Sequence, residues 1–273
     1  MNQTAHDSDL RTVTSADGST IAYQTFGRGT PVILIGGAFN DRATMLALAA
    51  TLAPHVTAVV YDRRGRGDST DDAKPGEFAV DREVEDLAAL IEGLGGRVSL
   101  FGHSSGGVLA LEAVTRGLPV DKVAVYEPAY IIPGSRPVPP AEAFDRLKDL
   151  VAKGDRDGAA GLFLEEHVGV PGQVVAGMRA GEGWGYMCAQ ALTLPYDVAI
   201  CGVGGGIPAE RLAALEIPTL AVYGDQTSES LQAATKAVAD AVPGTRLVVL
   251  EGQDHGVLHH PEALYPALAE FLA

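Results

Sequence analysis

The sequence predicts an α/β fold, a mostly parallel sheet flanked by helices with a helical insertion near its middle. Three observations carry this. Short, mostly apolar runs recur at residues 31–35 (PVILI), 56–61 (VTAVVY), 97–101 (RVSLF), 122–126 (KVAVY), 219–223 (TLAVY) and 246–250 (RLVVL). Runs of this length, rich in Val, Leu and Ile, suit strands buried on both faces of a parallel sheet. Helix-like segments alternate with them, and that alternation implies a parallel sheet covered on both sides. The stretch from about 130 to 212 has no convincing strand, so it interrupts the alternation as an insertion.

In chain order, residues 11–15 and 19–26 read as an opening hairpin, with Asp17-Gly18 as its turn. A helix over 41–53 follows the 31–35 strand. Residues 81–94 place Val84, Leu87, Ala88 and Ile91 on one helical face. Residues 105–116 are small and apolar all round, as a buried helix should be. The insertion opens with Pro133, Pro137, Pro139 and Pro140 and continues in helical pieces near 141–153, 156–167 and 173–193. Beyond it, a helix over 228–241 ends at Pro243-Gly244, and Pro261 opens the last helix, 261–272. The expected organisation is a core of residues 1–129 and 213–273 with a helical cap, 130–212. The cap holds Phe144, Phe163, Trp184, Tyr186 and Met187, expected mainly in its own core, with some facing the site beneath.

Composition narrows the function. The 35 acidic and 20 basic residues leave a net charge of −15, which repels phosphate backbones, so no nucleic-acid partner is expected. No apolar stretch reaches the roughly 18 residues a membrane helix needs. The polar N-terminal residues lack the basic start and apolar core of a signal peptide. A cytoplasmic protein, monomer or homodimer, acting on a small molecule is the expectation. Cys188 and Cys201 have no metal-site spacing and are expected to be buried, inert thiols. No motif for a metal or organic cofactor is present.

The most informative segment is 99–113, SLFGHSSGGVLALEA. It reads strand, then Gly102-His103-Ser104-Ser105-Gly106, then helix. G-x-S-x-G in that context is a nucleophile elbow: a tight, strained turn exposes the central serine at the carboxyl end of the sheet. The helix that follows aims its free N–H groups at the same point. Ser104, not Ser105, occupies the central position. The N–H of Ser105, just after it, is one expected donor to an oxyanion.

With GHSSG, the segments LIGGAF (34–39) and YDRRGRGDS (61–69) make the chain resemble the α/β-hydrolase superfamily over nearly its whole length. The resemblance implies the α/β-hydrolase fold. It implies a catalytic histidine in the loop after the last strand, EGQDHG (251–256), which is His255. It also implies Ala38, after the Gly36-Gly37 pair, as the second oxyanion donor. Relatives usually carry His-Gly where this chain has Gly36-Gly37. Asp62 and Arg63, in the 61–69 loop, are expected to be structural. Among the other histidines, His6 is assigned to a tail, His103 points away from the site, and His55 and His167 are expected at the solvated surface. His259 and His260 open the final helix.

The acid of a Ser-His-acid set departs from the common pattern. Relatives most often place it after the strand 219–223, where this chain has Thr227. Asp225 lies two residues early, and Glu229 sits at a helix start. Some relatives, including certain haloalkane dehalogenases and the coelenterazine luciferases, use a Glu after the preceding core strand. Glu127 stands there and is favoured over Asp225. The expected activity is cleavage of a carboxylic ester, thioester or lactone through an acyl-enzyme. The alternatives are acyl transfer, a lyase or cyclase reaction, and ligand sensing on a hydrolase scaffold.

Overall fold

The computed structural model describes residues 9–74 and 76–272; His6 lies outside them. Eight strands form one sheet in the order β1-β2-β4-β3-β5-β6-β7-β8. They are β1 (Arg11–Thr14), β2 (Thr20–Gly27), β3 (Pro31–Ile35), β4 (Thr57–Tyr61), β5 (Val98–His103), β6 (Val120–Tyr126), β7 (Thr219–Gly224) and β8 (Arg246–Leu250). β2 runs antiparallel to β1 and β4, and the remaining neighbours are parallel.

The two-residue period of a strand divides the core in two. Ile33 and Ile35 of β3, with Val123 and Val125 of β6, pack under α2 (Val80–Gly93), α3 (Ser105–Thr115) and α10 (Glu229–Ala241). Val32 and Leu34, with Ala124 and Tyr126, face the opposite way, toward α1 (Arg42–Leu52) and α11 (Pro261–Leu272). Two of these helices are capped by side chains: Asp41 accepts from the Thr44 N–H at the start of α1 and Ser228 from the Leu231 N–H at the start of α10. β8 departs from expectation. It is the sheet edge, and Leu247 and Val249 stand 40% and 48% exposed on one face, while the alternate residues Val248 and Leu250 pack against the core on the other.

Between β6 and β7 the described residues form helices and no strand. These are α4 (Ala143–Ala152), α5 (Arg156–Leu162) running into a π-helical turn (Phe163–Val168), α6 (Gly172–Arg179), α7 (Trp184–Gln190), α8 (Leu194–Cys201) and α9 (Ala209–Ala213). The piece expected over 173–193 is two helices, parted at Ala180-Gly181-Glu182-Gly183, where glycines weaken helix propagation. α8 and α9 were not expected from the sequence.

Among the five aromatic and Met residues singled out in this segment, only Phe163 reaches the main cavity described below. Trp184 is 9% exposed and donates its ring N–H to Asp157 at 2.7 Å, within the helical layer. Tyr186 is exposed and reaches across to the Thr44 hydroxyl at 3.0 Å. No helix of the described residues is long and apolar enough to cross a membrane.

Candidate active site

β5 ends at His103, and the chain turns directly into α3 at Ser104. Ser104 has φ 57° and ψ −125°, a conformation that costs a non-glycine residue on the order of 1–3 kcal/mol. Two close approaches enforce it. A Cβ on Gly102 would lie 2.3 Å from the Gly106 carbonyl oxygen, and one on Gly106 would lie 2.4 Å from the Ile35 carbonyl oxygen. The Ser104 N–H is tied to the Tyr126 carbonyl at 2.9 Å, which locks the turn to β6.

Glu127 follows β6 immediately, also at positive φ (46°), and is fully buried. Its carboxylate has three donors: the Gly224 N–H at 2.9 Å, the Thr227 hydroxyl at 3.0 Å and His255 Nδ1 at 2.6 Å. Thr227, at the position where the resemblance most often puts the acid, instead donates its hydroxyl to Glu127, just after β6. Asp225 is elsewhere: its Oδ1 accepts the Gly252 N–H at 2.7 Å and makes no bond to His255. With Nδ1–H given to Glu127, the His255 imidazole keeps Nε2 as its free acceptor. Ser104 and His255 line one cavity, and no hydrogen bond joins them among the described residues.

The loop carrying His255 is fastened from below. His103 Nε2 donates to the His255 carbonyl at 2.9 Å, and the Tyr126 hydroxyl donates to the Asp254 carbonyl at 2.7 Å. The loop lies so close to β7 that a Cβ on Gly224 would stand 2.1 Å from the Gln253 carbonyl oxygen. His103 was expected to point away from the site; it is buried but lines the cavity, with its Nε2 engaged by the His255 carbonyl. Burial, and then the adjacent His255 ring, push its pKa down to about 3, so it is a neutral donor.

The N–H groups of Ala38 and Ser105 meet no protein acceptor among the described residues, and both residues line the cavity beside Ser104. The backbone between β3 and α1 is held by Arg66, whose guanidinium donates to the Gly37 carbonyl at 2.7 Å and the Asn40 carbonyl at 2.9 Å. Gly36, where relatives have histidine, is matched by Asn40: a Cβ on Gly36 would fall 2.8 Å from Asn40 Cβ, and Asn40 Oδ1 accepts the Gly37 N–H. Asn40 occupies the space a side chain at 36 would need.

A buried charge cluster, unread in the sequence, ties this floor to the helical segment. Asp197 of α8, 1% exposed, accepts from Arg63 at 2.6 Å, Arg66 at 2.7 Å and the Ser105 hydroxyl at 2.7 Å. Burial alone would raise its pKa, but the two guanidinium groups hold it below the ordinary carboxylate range. Arg63 also makes a two-pronged contact with Glu83. The Ser105 hydroxyl is thereby committed, which leaves Ser104 as the unengaged one. Asp62 is structural, accepting from the Arg42 and Asp68 N–H groups.

The cavity above Ser104 encloses about 410 Å³, within the range of small-molecule sites. Its walls are largely apolar, with Phe39, Phe163, Leu164 and Val198 prominent. Two expectations fail here. His167 is not at the surface; it is 9% exposed and lines the cavity, because the π-helical turn rotates it inward. Both cysteines are only partly buried, and Cys201 lines the cavity, its thiol pushed up to about 12 by burial. His55 is exposed and bonds the Tyr265 hydroxyl, while His259 and His260 do not reach the cavity. Among the described residues no cluster of His, Cys, Asp and Glu is suited to a metal ion.

The strand order, the strained serine between β5 and α3, and the histidine after β8 coincide with a match to the alpha/beta hydrolase family model over residues 32–267. The chain belongs to this family. Its sequence is 32% identical over 276 residues to non-heme chloroperoxidase CPO-A1 of Kitasatospora aureofaciens, covering 95% of this chain and 98% of that one. Among solved structures, this alpha/beta hydrolase is similar to an alpha/beta hydrolase from Sphaerobacter thermophilus, with 45% identity, a TM-score of 0.89, and coverage of 96% and 100% of the two chains. It also resembles a thermophilic esterase from Thermogutta terrifontis, with 25% identity, a TM-score of 0.72, and coverage of 97% and 98%.

Proposed function

We propose that this hydrolase cleaves a carboxylic ester, thioester or lactone of a small, mostly apolar molecule through an acyl-enzyme on Ser104. The observation that carries the reading is the 2.6 Å contact of His255 Nδ1 with buried Glu127, at the edge of the cavity that Ser104 enters. That contact fixes the imidazole tautomer with the proton on Nδ1 and leaves Nε2 available as a base. Closure of the Ser104–His255 gap accompanies substrate binding, as catalytic hydrogen bonds commonly tighten in the complex.

In the forward step the Ser104 oxygen attacks the carbonyl carbon while His255 takes its proton. The N–H groups of Ala38 and Ser105 stabilise the anionic oxygen, each contributing on the order of 3 kcal/mol. Collapse expels the alcohol or thiol, which receives the proton from His255. Water, deprotonated by His255, then attacks the acyl-enzyme; the Ser104–acyl bond breaks, His255 returns the proton to the Ser104 oxygen, and the acid is released. Glu127 stays ionised throughout and stabilises the imidazolium.

The test is turnover of 4-nitrophenyl acetate, butyrate and hexanoate by the purified protein and by Ser104→Ala. Hydrolysis lost in the variant supports the reading; equal hydrolysis by both contradicts it. A second reading rests on the 32% identity to a protein named a chloroperoxidase. Hydrogen peroxide in place of water on the same acyl-enzyme would give a peracid and free Ser104. Peroxide-dependent chlorination of a dye in the presence of a carboxylic acid, abolished in Ser104→Ala, distinguishes it.

A further inference from the structure

Two charged side chains of fixed sign line the cavity, Asp197 and Arg136. The charge of Asp197 is matched by Arg63 and Arg66. Arg136 has no such match: among the described residues no carboxylate lies within 4.0 Å of it, in a chain whose net charge is −15. It stands in the loop between β6 and α4. One guanidinium nitrogen donates to the His167 carbonyl at 2.9 Å, which steers the group against the π-helical turn. Among the described residues the other guanidinium nitrogens meet no acceptor, yet they are not sealed off from solvent. Next to it, His167 is 9% exposed, lines the same cavity, and its ring Nε2 finds no partner among the described residues.

A guanidinium drawn partly out of water and left without an anion is costly. Burial already pulls the pKa of Arg136 below its ordinary value, in keeping with a missing counter-charge. The planar fork of the guanidinium matches a carboxylate better than any neutral acceptor. The wall of the cavity that Arg136 and Ser104 share is largely apolar, with Ile131, Phe163, Leu164 and Val198 among its residues.

We infer that Arg136, beside His167, is a carboxylate-binding subsite, and that the substrate is an ester or thioester bearing a free carboxylate separated from the scissile carbonyl by a short apolar stretch. The inference rests on the ester-hydrolase reading for the scissile bond, but the subsite itself stands on the geometry of Arg136. The apolar wall then accommodates the middle of the substrate, Ser104 meets one end, and Arg136 holds the other. In a strongly acidic protein, a cationic end to the cavity is what lets an anionic substrate enter and stay.

The experiment compares 4-nitrophenyl hemiesters of glutarate, adipate and suberate with the neutral pentanoate, hexanoate and octanoate esters. The best hemiester is expected to exceed its neutral counterpart in kcat/KM. Arg136→Met should lower that ratio roughly ten- to hundredfold, mainly through KM, and Arg136→Lys should restore part of it. A ratio unchanged in a folded Arg136→Met protein overturns the proposal. A second arm keeps the subsite separate from the chemistry: Ser104→Ala, with and without Arg136→Met, is titrated with glutarate, adipate and suberate by calorimetry. Diacid binding that is lost with Arg136 supports the subsite even if no ester is turned over, an outcome that would sink only the hydrolase reading. No binding of any of the three diacids to Ser104→Ala, together with an unchanged ester ratio or no ester turnover, removes the subsite.

Discussion

His255 Nδ1 and Glu127 Oε2 lie 2.6 Å apart although 128 residues separate them in the chain. The contact exists because Glu127 leaves β6 at positive φ and turns its carboxylate under the loop that follows β8. It also explains Thr227, whose hydroxyl donates to that same oxygen at 3.0 Å.

Glu127→Gln keeps the shape but removes the charge that orients and stabilises the His255 imidazolium. Ester turnover should fall by roughly 10³–10⁴-fold with the fold retained, as for other isosteric changes at a triad acid. Thr227→Val should cost far less, since two donors to Glu127 remain. The pair Glu127→Ala and Thr227→Asp should regain part of the loss, read as kcat/KM on a 4-nitrophenyl ester. Full activity in Glu127→Gln would remove the acid from the proposed mechanism.

Asp197 joins α8 to the loop after β4 through Arg63 and Arg66, and Arg66 in turn grips the Gly37 and Asn40 carbonyls. Asp197→Ala leaves Arg66 buried without its anion. Breaking a buried pair in this way costs about 3–5 kcal/mol, measurable as a lowered midpoint in urea. Residual folded protein should show reduced turnover, because the backbone carrying the Ala38 N–H is no longer pinned. A denaturation midpoint equal to wild type would show that the cluster holds nothing in place.

How much of this could be read from the residues alone depended on range. The central strands were legible because burial on both faces leaves an unbroken apolar run, and the elbow because its spacing is local, Gly102 closing against the Gly106 carbonyl within the motif itself. β8 has the same composition as a buried strand, so its edge position, fixed by sheet order, was invisible. α8 was missed for a related reason. Asp197 makes sense only opposite Arg63 and Arg66, which lie 134 and 131 residues earlier. His167 looked like a surface residue because nothing in its sequence marks the π-helical turn that rotates it inward. Glu127 was legible from its place at the end of an apolar strand, from the absence of a charge at Thr227 and by resemblance to other chains; the three donors that surround it appear only in the folded molecule.

His103 carries a pH signature. Its pKa is held at about 3 in the fold, against an ordinary 6.5, by burial first and then by the His255 ring. Between those values the unfolded chain binds a proton at His103 that the folded chain does not, so stability drops as pH falls below 6.5. His103→Gln retains a donor for the His255 carbonyl and removes the titration. Between pH 7 and pH 5 the unfolding free energy of the variant should gain about 2 kcal/mol relative to wild type. Urea titrations at the two pH values measure it, and a difference that does not change with pH would show that the folded protein accepts that proton.

The most direct test of the Ser104 nucleophile is the intact mass of the protein after incubation with a fluorophosphonate, followed by peptide mapping. One adduct is expected, on Ser104, formed much more slowly in Glu127→Gln and absent in Ser104→Ala. A folded wild-type protein that stays unlabelled, or that carries its adduct on another residue, would contradict the assignment.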